Sequence, residues 1–144
     1  MRKIAALMLL LAALCGAVSA QNSPAVGPAD TRGVRTLIQM QLDAFAQDDA
    51  AKAFSYAAPA IQKMFGTPGQ FLAMVRAQYP MVHRPAAVAF LQPQADGDAV
   101  LQRVQITDIA GKEWAVSYLV SRQADRSWRI GACVVAPAKK RLST

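Results

Sequence analysis

The hydrophobic period of this sequence changes at Pro80, and that change limits the folds that the chain can adopt. Before Pro80, apolar residues recur every three to four positions, which is the spacing of amphipathic helices. After Pro80 they alternate with polar residues, as in strands that bury one face. Helices followed by antiparallel strands are typical of the α+β class. The order therefore predicts an α+β fold with helices packed on one face of a curved antiparallel sheet of about four strands.

The helical half of the chain is divided by capping residues and prolines. Asp30 or Thr31 is expected to cap the first helix. The apolar stripe of that helix consists of Val34, Leu37, Ile38, Leu42 and Phe45. Asp48 and Asp49 are expected to cap a second, short helix, because a carboxylate accepts the unpaired N–H groups at a helix start. Two further helices follow, and the last begins at a capping box over residues 67–70.

The second half of the chain predicts an antiparallel meander. Its strands are expected at residues 82–91, 100–107, 114–120 and 128–134. Pro85 interrupts the first strand, which suits an edge or bent strand because proline donates no ladder hydrogen bond. The Asp96-Gly97 pair favours a hairpin between the first strand and the second.

The first twenty residues predict export. Arg2 and Lys3 precede an apolar run over residues 4–14, and residues 18–20 supply the small side chains that a signal peptidase reads. A helix of that run would rise only about 16 Å, roughly half the thickness of a hydrocarbon core. We therefore expect cleavage after Ala20, export to a periplasm or the medium, and no stable membrane anchor after cleavage.

The same segment offers two alternatives to cleavage. An uncleaved anchor would extend the apolar run to Ala20, but Gly16 and Ser19 weaken that extension. A lipoprotein would be modified at Cys15, but Leu14 before it is larger than lipidation prefers. Cleavage is therefore the favoured interpretation.

Removal of the signal peptide changes what the composition implies. The remaining 124 residues carry 14 basic and nine acidic side chains, a net charge of +5, and 49% of them are hydrophobic. These values suit one globular domain. We expect a flexible leader at 21–30, a single α+β domain at 31–136 and a basic tail at 137–144. Cys133 would be the only thiol left, and we expect it to be buried and inert rather than reactive or paired between chains.

Several short runs along the chain form a recognisable set: Gln41–Phe45, Asp48–Ala50, Ala53-Phe54, Phe65-Gly66, Phe71, Met74-Val75, Tyr79-Pro80, Arg84-Pro85, Trp128–Ile130 and Cys133. As a set, they resemble a bacterial family known as domain of unknown function 4864. The resemblance covers about residues 34–135. It implies the cone of nuclear-transport-factor-2-like and SnoaL-like (cystatin-like) proteins, in which helices cover a curved sheet and often enclose a pocket. It implies no activity, because this architecture hosts both enzymes and binding domains.

The residue inventory argues against several classes of functional site. The chain after Ala20 has one His and one Cys, which excludes zinc sites built from several of these residues. It contains no Walker, Gly-x-Ser-x-Gly or Gly-x-Gly-x-x-Gly pattern, and Glu113 is its single glutamate. We therefore expect no cofactor, no metal and no paired-carboxylate catalysis. The basic residues at 139–141 form a short cluster but the others are dispersed, so we expect no nucleic-acid partner.

Polar residues at apolar positions are the candidates for a ligand pocket. Gln41 lies in the apolar stripe of the first helix, and Gln102 and Tyr118 lie on the apolar faces of two strands. Each needs a hydrogen-bond partner when buried, which is either another protein group or a ligand. Because ligand pockets are mostly apolar with a few polar groups, we take Gln41, His83, Gln102 and Tyr118 as pocket candidates.

Two functions are compatible with these features. The favoured one is a non-catalytic module that binds a small apolar molecule or a protein, with a homodimer through the sheet as a variant. The alternative is a pocket enzyme of the isomerase or dehydratase type, in which His83 and a carboxylate act as acid and base. Asp43 is not the expected carboxylate, because helical spacing turns it away from the apolar stripe. The favoured function requires no catalytic residue.

Overall fold

The computed structural model describes residues 24–139. The helices are α1 (Pro28–Ala46), α2 (Ala50–Ser55), α3 (Pro59–Phe65), α4 (Pro68–Gln78) and α5 (Pro80–His83). The strands are β1 (Ala87–Phe90), β2 (Gln94–Asp96), β3 (Ala99–Thr107), β4 (Glu113–Arg122) and β5 (Trp128–Pro137). Helices followed by antiparallel strands confirm the predicted α+β class. The predicted signal peptide with Cys15, the start of the predicted leader and residues 140–144 of the tail lie outside the described residues.

Helix α1 begins earlier than the sequence predicted. Its first residue is Pro28, whose restricted φ suits a helix start and whose missing N–H would have had no helical partner. Gly27 is the N-cap, and Asp30 lies inside the first turn, where a negative charge is favourable beside the helix dipole. The predicted caps at Asp30 and Thr31 are therefore wrong, and the helix includes the last three residues of the predicted leader.

The segment predicted as the first strand, residues 82–91, contains parts of two elements, and a further short strand follows it. Its first residues belong to α5, because Pro80 starts one further helical turn. Strand pairing begins only at Ala87, after Pro85. The chain leaves the ladder again around Pro93, which separates β1 from β2. The sheet therefore has five strands rather than about four.

The sheet is antiparallel and curved by a bulge. The order of its strands is β1, β3, β4, β5. The short strand β2 pairs with the first residues of β3, and β1 pairs with the last residues of β3. Gly97, with a φ of +57°, turns the hairpin between β2 and β3, as the Asp-Gly pair predicted. Between β4 and β5 the register shifts after Leu119, so that Gly131 has no opposite residue. Such a bulge bends the strand and increases its twist.

The core lies between the helices and one face of this sheet. Apart from alanines, the aliphatic and aromatic side chains that are at most 1% exposed are Val34, Ile38, Phe45, Val104, Ile106, Val116, Tyr118 and Val120. Burial of each contributes about 1.5–3 kcal/mol relative to exposure. The edge strand β5 is covered at one point, where Ile130 exchanges backbone hydrogen bonds with Tyr56 and Ala58. Within residues 24–139, no helix is long and apolar enough to cross a membrane.

Candidate ligand-binding site

A cavity of about 400 Å³ lies between the helices and the edge strand β5. Residues 130–133 of β5 form one wall, and α1, α3, α4 and α5 contribute the others. Most of the lining side chains are aliphatic or aromatic: Phe45, Ile61, Met64, Phe65, Phe71, Met74, Val75, Tyr79, Val82 and Ile130. Among residues 24–139, no Asp, Glu, Lys, Arg or His contributes to the lining. Because these lining residues offer no charge to pair with an ion, the cavity suits an uncharged, mainly apolar molecule.

Phe71 lies at the centre of the aromatic wall. Its ring centroid is 5.6 Å from that of Phe45, 5.5 Å from Phe54 and 5.3 Å from Phe65, all in tilted geometry. Tilted aromatic pairs at these distances attract one another beyond the gain from burial alone. Thr67 caps the start of α4 with its hydroxyl, as the capping box predicted, and this fixes the helical turn that carries Phe71.

Gln41 is the one pocket candidate of the sequence that lines the cavity. It is nearly buried, and its amide nitrogen donates to the backbone carbonyl of Ala53 at 3.1 Å. This hydrogen bond settles the orientation of the amide, because the group that faces a carbonyl must be the NH₂. The amide oxygen is therefore the acceptor that Gln41 can offer to a ligand.

Tyr118 and Cys133 form a second polar element beside the cavity. They face each other across β4 and β5, so their side chains lie on the same face of the sheet. Cys133 lines the cavity and is exposed, not buried as predicted, because the cavity separates this part of β5 from the helices. Tyr118 is only 1% exposed and is not a lining residue. Its hydroxyl makes no hydrogen bond within the described part of the chain.

The surroundings of these two groups keep both of them protonated. Burial, with the neighbouring Cys133 thiol as a second cause, raises the pKa of Tyr118 well above its ordinary value. The protein atoms around Cys133 limit the hydration of its thiolate and raise the pKa of the thiol to about 12. At neutral pH the phenol and the thiol are therefore both hydrogen-bond donors.

Gln102, the third candidate, serves a different part of the fold. It is fully buried, and its amide nitrogen donates to the backbone carbonyls of Leu91 at 2.7 Å and Arg103 at 2.8 Å. Arg35 donates to the same Leu91 carbonyl at 3.0 Å. Gln102 does not line the cavity, and its partners show that it holds the segment between β1 and β2 against the sheet.

His83, the fourth candidate, lies outside the cavity lining but has a carboxylate partner. Its Nε2 is 2.7 Å from Oδ1 of Asp48, and its side chain is 11% exposed. Arg84 donates to the other carboxylate oxygen at 3.0 Å. The hydrogen bond from His83, together with the charges of Arg76 and Arg84, holds the pKa of Asp48 below its ordinary value. The three side chains join α5 to the turn between α1 and α2.

Sequence reasoning missed the role of Asp48. Asp49 caps α2 as predicted, by accepting a hydrogen bond from the backbone N–H of Lys52. Asp48 instead adopts a left-handed backbone with a φ of +56° and turns its carboxylate towards α5, so its predicted capping role is wrong. Asp tolerates this conformation better than most residues. Two successive acidic residues between helices therefore indicated a cap and a turn. They did not indicate that Asp48 would contact His83 and Arg84.

Other candidate sites lack the features of this cavity. Within residues 24–139, no three His, Cys, Asp or Glu side chains are grouped as a metal site requires. A concavity of about 540 Å³ lies against β3, β4 and the chain after β5, and charged residues such as Arg103, Glu113 and Lys139 contribute to it. The cavity between the helices and β5 is therefore the candidate that matches an apolar ligand.

Comparison with known proteins identifies the fold and the family of this chain. Residues 28–142 match the family described as Domain of unknown function (DUF4864). Among solved structures, the chain is similar to an NTF-2-like protein of unknown function from Silicibacter pomeroyi DSS-3, with a TM-score of 0.52 and 19% sequence identity. That match covers 75% of this chain and 95% of the other, whereas no curated protein matches. The protein therefore has an NTF-2-like fold and belongs to the DUF4864 family.

Proposed function

We propose that this protein is an exported, non-catalytic module that binds a small neutral molecule in the cavity between its helices and β5. The observation that carries the proposal is a cavity of about 400 Å³ whose lining is apolar apart from a few uncharged polar groups. This volume falls within the range of about 300–1,000 Å³ typical of small-molecule sites. The buried amide of Gln41, already oriented by Ala53, supplies a fixed polar contact that would orient the ligand.

A fluorescent probe tests the proposal directly. N-phenyl-1-naphthylamine is neutral and apolar, and its emission rises when it leaves water. We expect it to bind the purified chain of residues 21–144 with one saturable site. Met74→Trp should weaken binding about tenfold, because the larger side chain occupies part of the cavity.

The matched control lies one residue away on the same helix. Ala73 is exposed and does not line the cavity, so Ala73→Trp should leave probe affinity unchanged. Native mass spectrometry of the protein from its own host supplies a second readout, in which a retained small molecule is expected. Equal affinity of both tryptophan variants, or no saturable binding to the unsubstituted chain, would contradict the proposal.

Catalysis by His83 is the second candidate function. Its support is the distance of 2.7 Å between His83 and Asp48, which is the contact that an acid–base pair needs. Against it, neither residue lines the cavity, and Asp48 is also held by Arg84. His83→Gln should therefore leave probe binding unchanged, and loss of a cavity-dependent reaction in that variant would favour the enzyme instead.

Association with protein partners remains a separate prediction. The face of the sheet opposite the helices includes Val134, which is 64% exposed, and Leu119. A homodimer through this face would bury these side chains without closing the cavity. The same native mass spectrum reports the number of chains in the complex, so it tests the dimer independently of the ligand.

A further inference from the structure

Gln41 is a buried lining residue whose amide oxygen lacks a protein donor. The residue is 4% exposed, and its amide nitrogen already donates to the carbonyl of Ala53. No residue in the range 24–139 donates to its Oε1. Most buried polar atoms in proteins are paired, because an unpaired one has lost its hydrogen bonds to water without replacement. Oε1 is therefore an acceptor whose partner has to come from the contents of the cavity.

The cavity makes this oxygen accessible to a ligand. Oε1 of Gln102 and the hydroxyl of Tyr118 also lack partners among the described residues, but both are enclosed by protein and neither residue lines the cavity. Gln41 does line it. Because the amide nitrogen of Gln41 is held by Ala53, the amide cannot turn its oxygen away without breaking that hydrogen bond. A molecule in the cavity therefore meets a fixed acceptor.

Apolar side chains surround this acceptor. Gln41 lies one helical turn before Phe45, which also lines the cavity and packs against the ring of Phe71. The other amide side chain of the lining, Gln78, is exposed, whereas Gln41 is buried. The acceptor thus lies in the buried part of the cavity, beside its aromatic wall.

The surroundings of Oε1 select the group that pairs with it. An amide oxygen accepts, so the ligand has to donate. A protonated amine would be costly to bury, because the lining residues within 24–139 include no carboxylate. An amide N–H brings a carbonyl oxygen that also needs a partner when it is buried. A hydroxyl is the neutral donor that adds the least polar surface to an apolar molecule.

Building on the proposed function, we infer that the ligand carries a neutral hydroxyl group that donates a hydrogen bond to Oε1 of Gln41. The rest of the molecule is apolar and packs against Phe45 and Phe71. The ligand class is therefore an apolar alcohol or phenol, rather than a hydrocarbon, an ether or a charged lipid.

Three compounds of similar shape test this inference. 4-tert-Butylphenol has a hydroxyl where 4-tert-butyltoluene has a methyl group, and 4-tert-butylanisole keeps the oxygen but has no hydrogen to donate. Each Kd is measured by competition with N-phenyl-1-naphthylamine on residues 21–144. A cavity without an acceptor would bind the phenol roughly a thousandfold more weakly than the toluene, because an unpaired hydroxyl is costly to bury. We expect the unsubstituted chain to bind the two within about tenfold of each other.

A pair of variants locates the acceptor. Gln41→Met keeps the length of the side chain and removes the amide oxygen. It should raise the Kd of the phenol relative to the toluene about tenfold and leave the ratio of anisole to toluene unchanged. Gln39→Met makes the same change at an exposed position of α1 outside the lining, so both ratios should match those of the unsubstituted chain.

The outcomes distinguish this inference from the proposed function. If all three compounds displace the fluorescent probe and Gln41→Met changes no ratio, binding stands and hydroxyl recognition is overturned. An equal loss for phenol and anisole would also overturn it, because the anisole has no hydrogen to donate. Gln41→Met also deprives the carbonyl of Ala53 of its donor. If that variant does not fold, a thousandfold weaker binding of the phenol to the unsubstituted chain would still overturn the inference. If neither the compounds nor the fluorescent probe bind that chain, the proposed function fails as well.

Discussion

Cys133 combines an exposed position with a thiol that resists ionisation. The sequence places it within the run of residues 128–135, and free cysteine is usually buried, which together predict burial. Its side chain does share the face of buried Tyr118. The cavity between β5 and the helices leaves the thiol open to small molecules. Limited hydration of the thiolate raises its pKa to about 12, so exposure and reactivity are separated at this residue.

We predict slow reaction of Cys133 with 5,5′-dithiobis(2-nitrobenzoate) at pH 8. A thiol with a pKa of about 12 holds roughly a thousandfold less thiolate at that pH than one with the ordinary value of 9.0. Its greater intrinsic nucleophilicity offsets part of this deficit, so the rate should be about 30-fold lower than that of a free thiol. Stopped-flow absorbance on residues 21–144 provides the measurement, and the rate should rise about tenfold per pH unit.

A control for accessibility lies next to this cysteine. The double variant Cys133→Ala, Val134→Cys moves the only thiol of residues 21–144 to a neighbouring position that is 64% exposed on the opposite face of the strand. It should react at close to the rate of a free thiol. Equal, rapid rates for Cys133 and the displaced thiol would contradict the expected desolvation.

For Gln102, the sequence predicted the need for hydrogen-bond partners but not their identity. An amide between Val100 and Val104 on a buried strand face requires hydrogen-bond partners, and the structure supplies two backbone carbonyls. The identity of the partners was not predictable, because Leu91 belongs to a loop whose path depends on how β1 and β2 pair with β3. The pattern indicated a requirement that the fold meets for the amide nitrogen, whereas the buried Oε1 of Gln102 has no hydrogen-bond partner within residues 24–139.

At the scale of elements, α5 is held to the end of α1 by ionic contacts. Asp48 accepts from His83 and from Arg84, and Arg84 also donates to the carbonyl of Ala46 at 3.4 Å. The helix has only four residues, so its own hydrogen bonds contribute little stability. Contacts to the turn between α1 and α2, together with the burial of Met81 and Val82 in the core, therefore hold α5 at the cavity rim.

We predict that the contribution of Asp48 to stability disappears in acid. The contacts with His83 and Arg84 lower the pKa of the folded-state carboxyl below 3.8. A group whose pKa is lowered by folding stabilises the protein above the unfolded value, and this contribution is lost as the pH falls through the folded value. Asp48→Asn should therefore melt a few degrees below the unsubstituted chain at pH 6, and the difference should shrink as the pH falls below 3.8 towards 2 and the folded-state carboxyl becomes protonated.

Asn is the appropriate replacement because it also tolerates the positive φ at this position. Asp98→Asn serves as the matched control, since Asp98 is exposed in the β2–β3 hairpin and makes no side-chain hydrogen bond within the described residues. Its melting temperature should follow the unsubstituted chain at both pH values. If the melting temperature of Asp48→Asn lies as far below that of the unsubstituted chain at pH 2 as at pH 6, the charge of Asp48 is not the cause.

At the scale of the whole molecule, the family match and the segment that predicts export occupy different parts of the sequence. The described fold begins with helix α1 at Pro28, and the residues matched by the family begin at the same position. Residues 1–20 therefore contribute nothing to the matched family region. The predicted cleavage after Ala20 would therefore leave the matched region intact.

We predict that the chain recovered from a bacterial periplasm begins at Gln21. Intact-mass measurement should give the mass of residues 21–144, because residues 18–20 present small side chains to the signal peptidase. Ala20→Arg should block cleavage and leave the precursor in the membrane fraction. A mature form that retains Met1, or that carries lipid on Cys15, would contradict the predicted processing.

Local sequence patterns were sufficient to predict the fold class and the order of the elements. Periodicity is a local property, so the change at Pro80 was sufficient to predict helices followed by an antiparallel sheet. It also identified Gln41, Gln102 and Tyr118 as buried polar residues. Local patterns were less accurate at element boundaries. Pro28 begins a helix where the sequence predicts a leader, and Pro80 begins a helical turn that extends into the predicted first strand.

The contacts between polar residues and the position of the cavity depend on tertiary packing. His83 and Asp48 are 35 positions apart, and their contact depends on how α5 packs against the turn after α1. The cavity exists because the helices do not fully cover β5, which no periodic pattern records. Packing between distant segments set both features, whereas the sequence pattern specified only which face of each element is apolar.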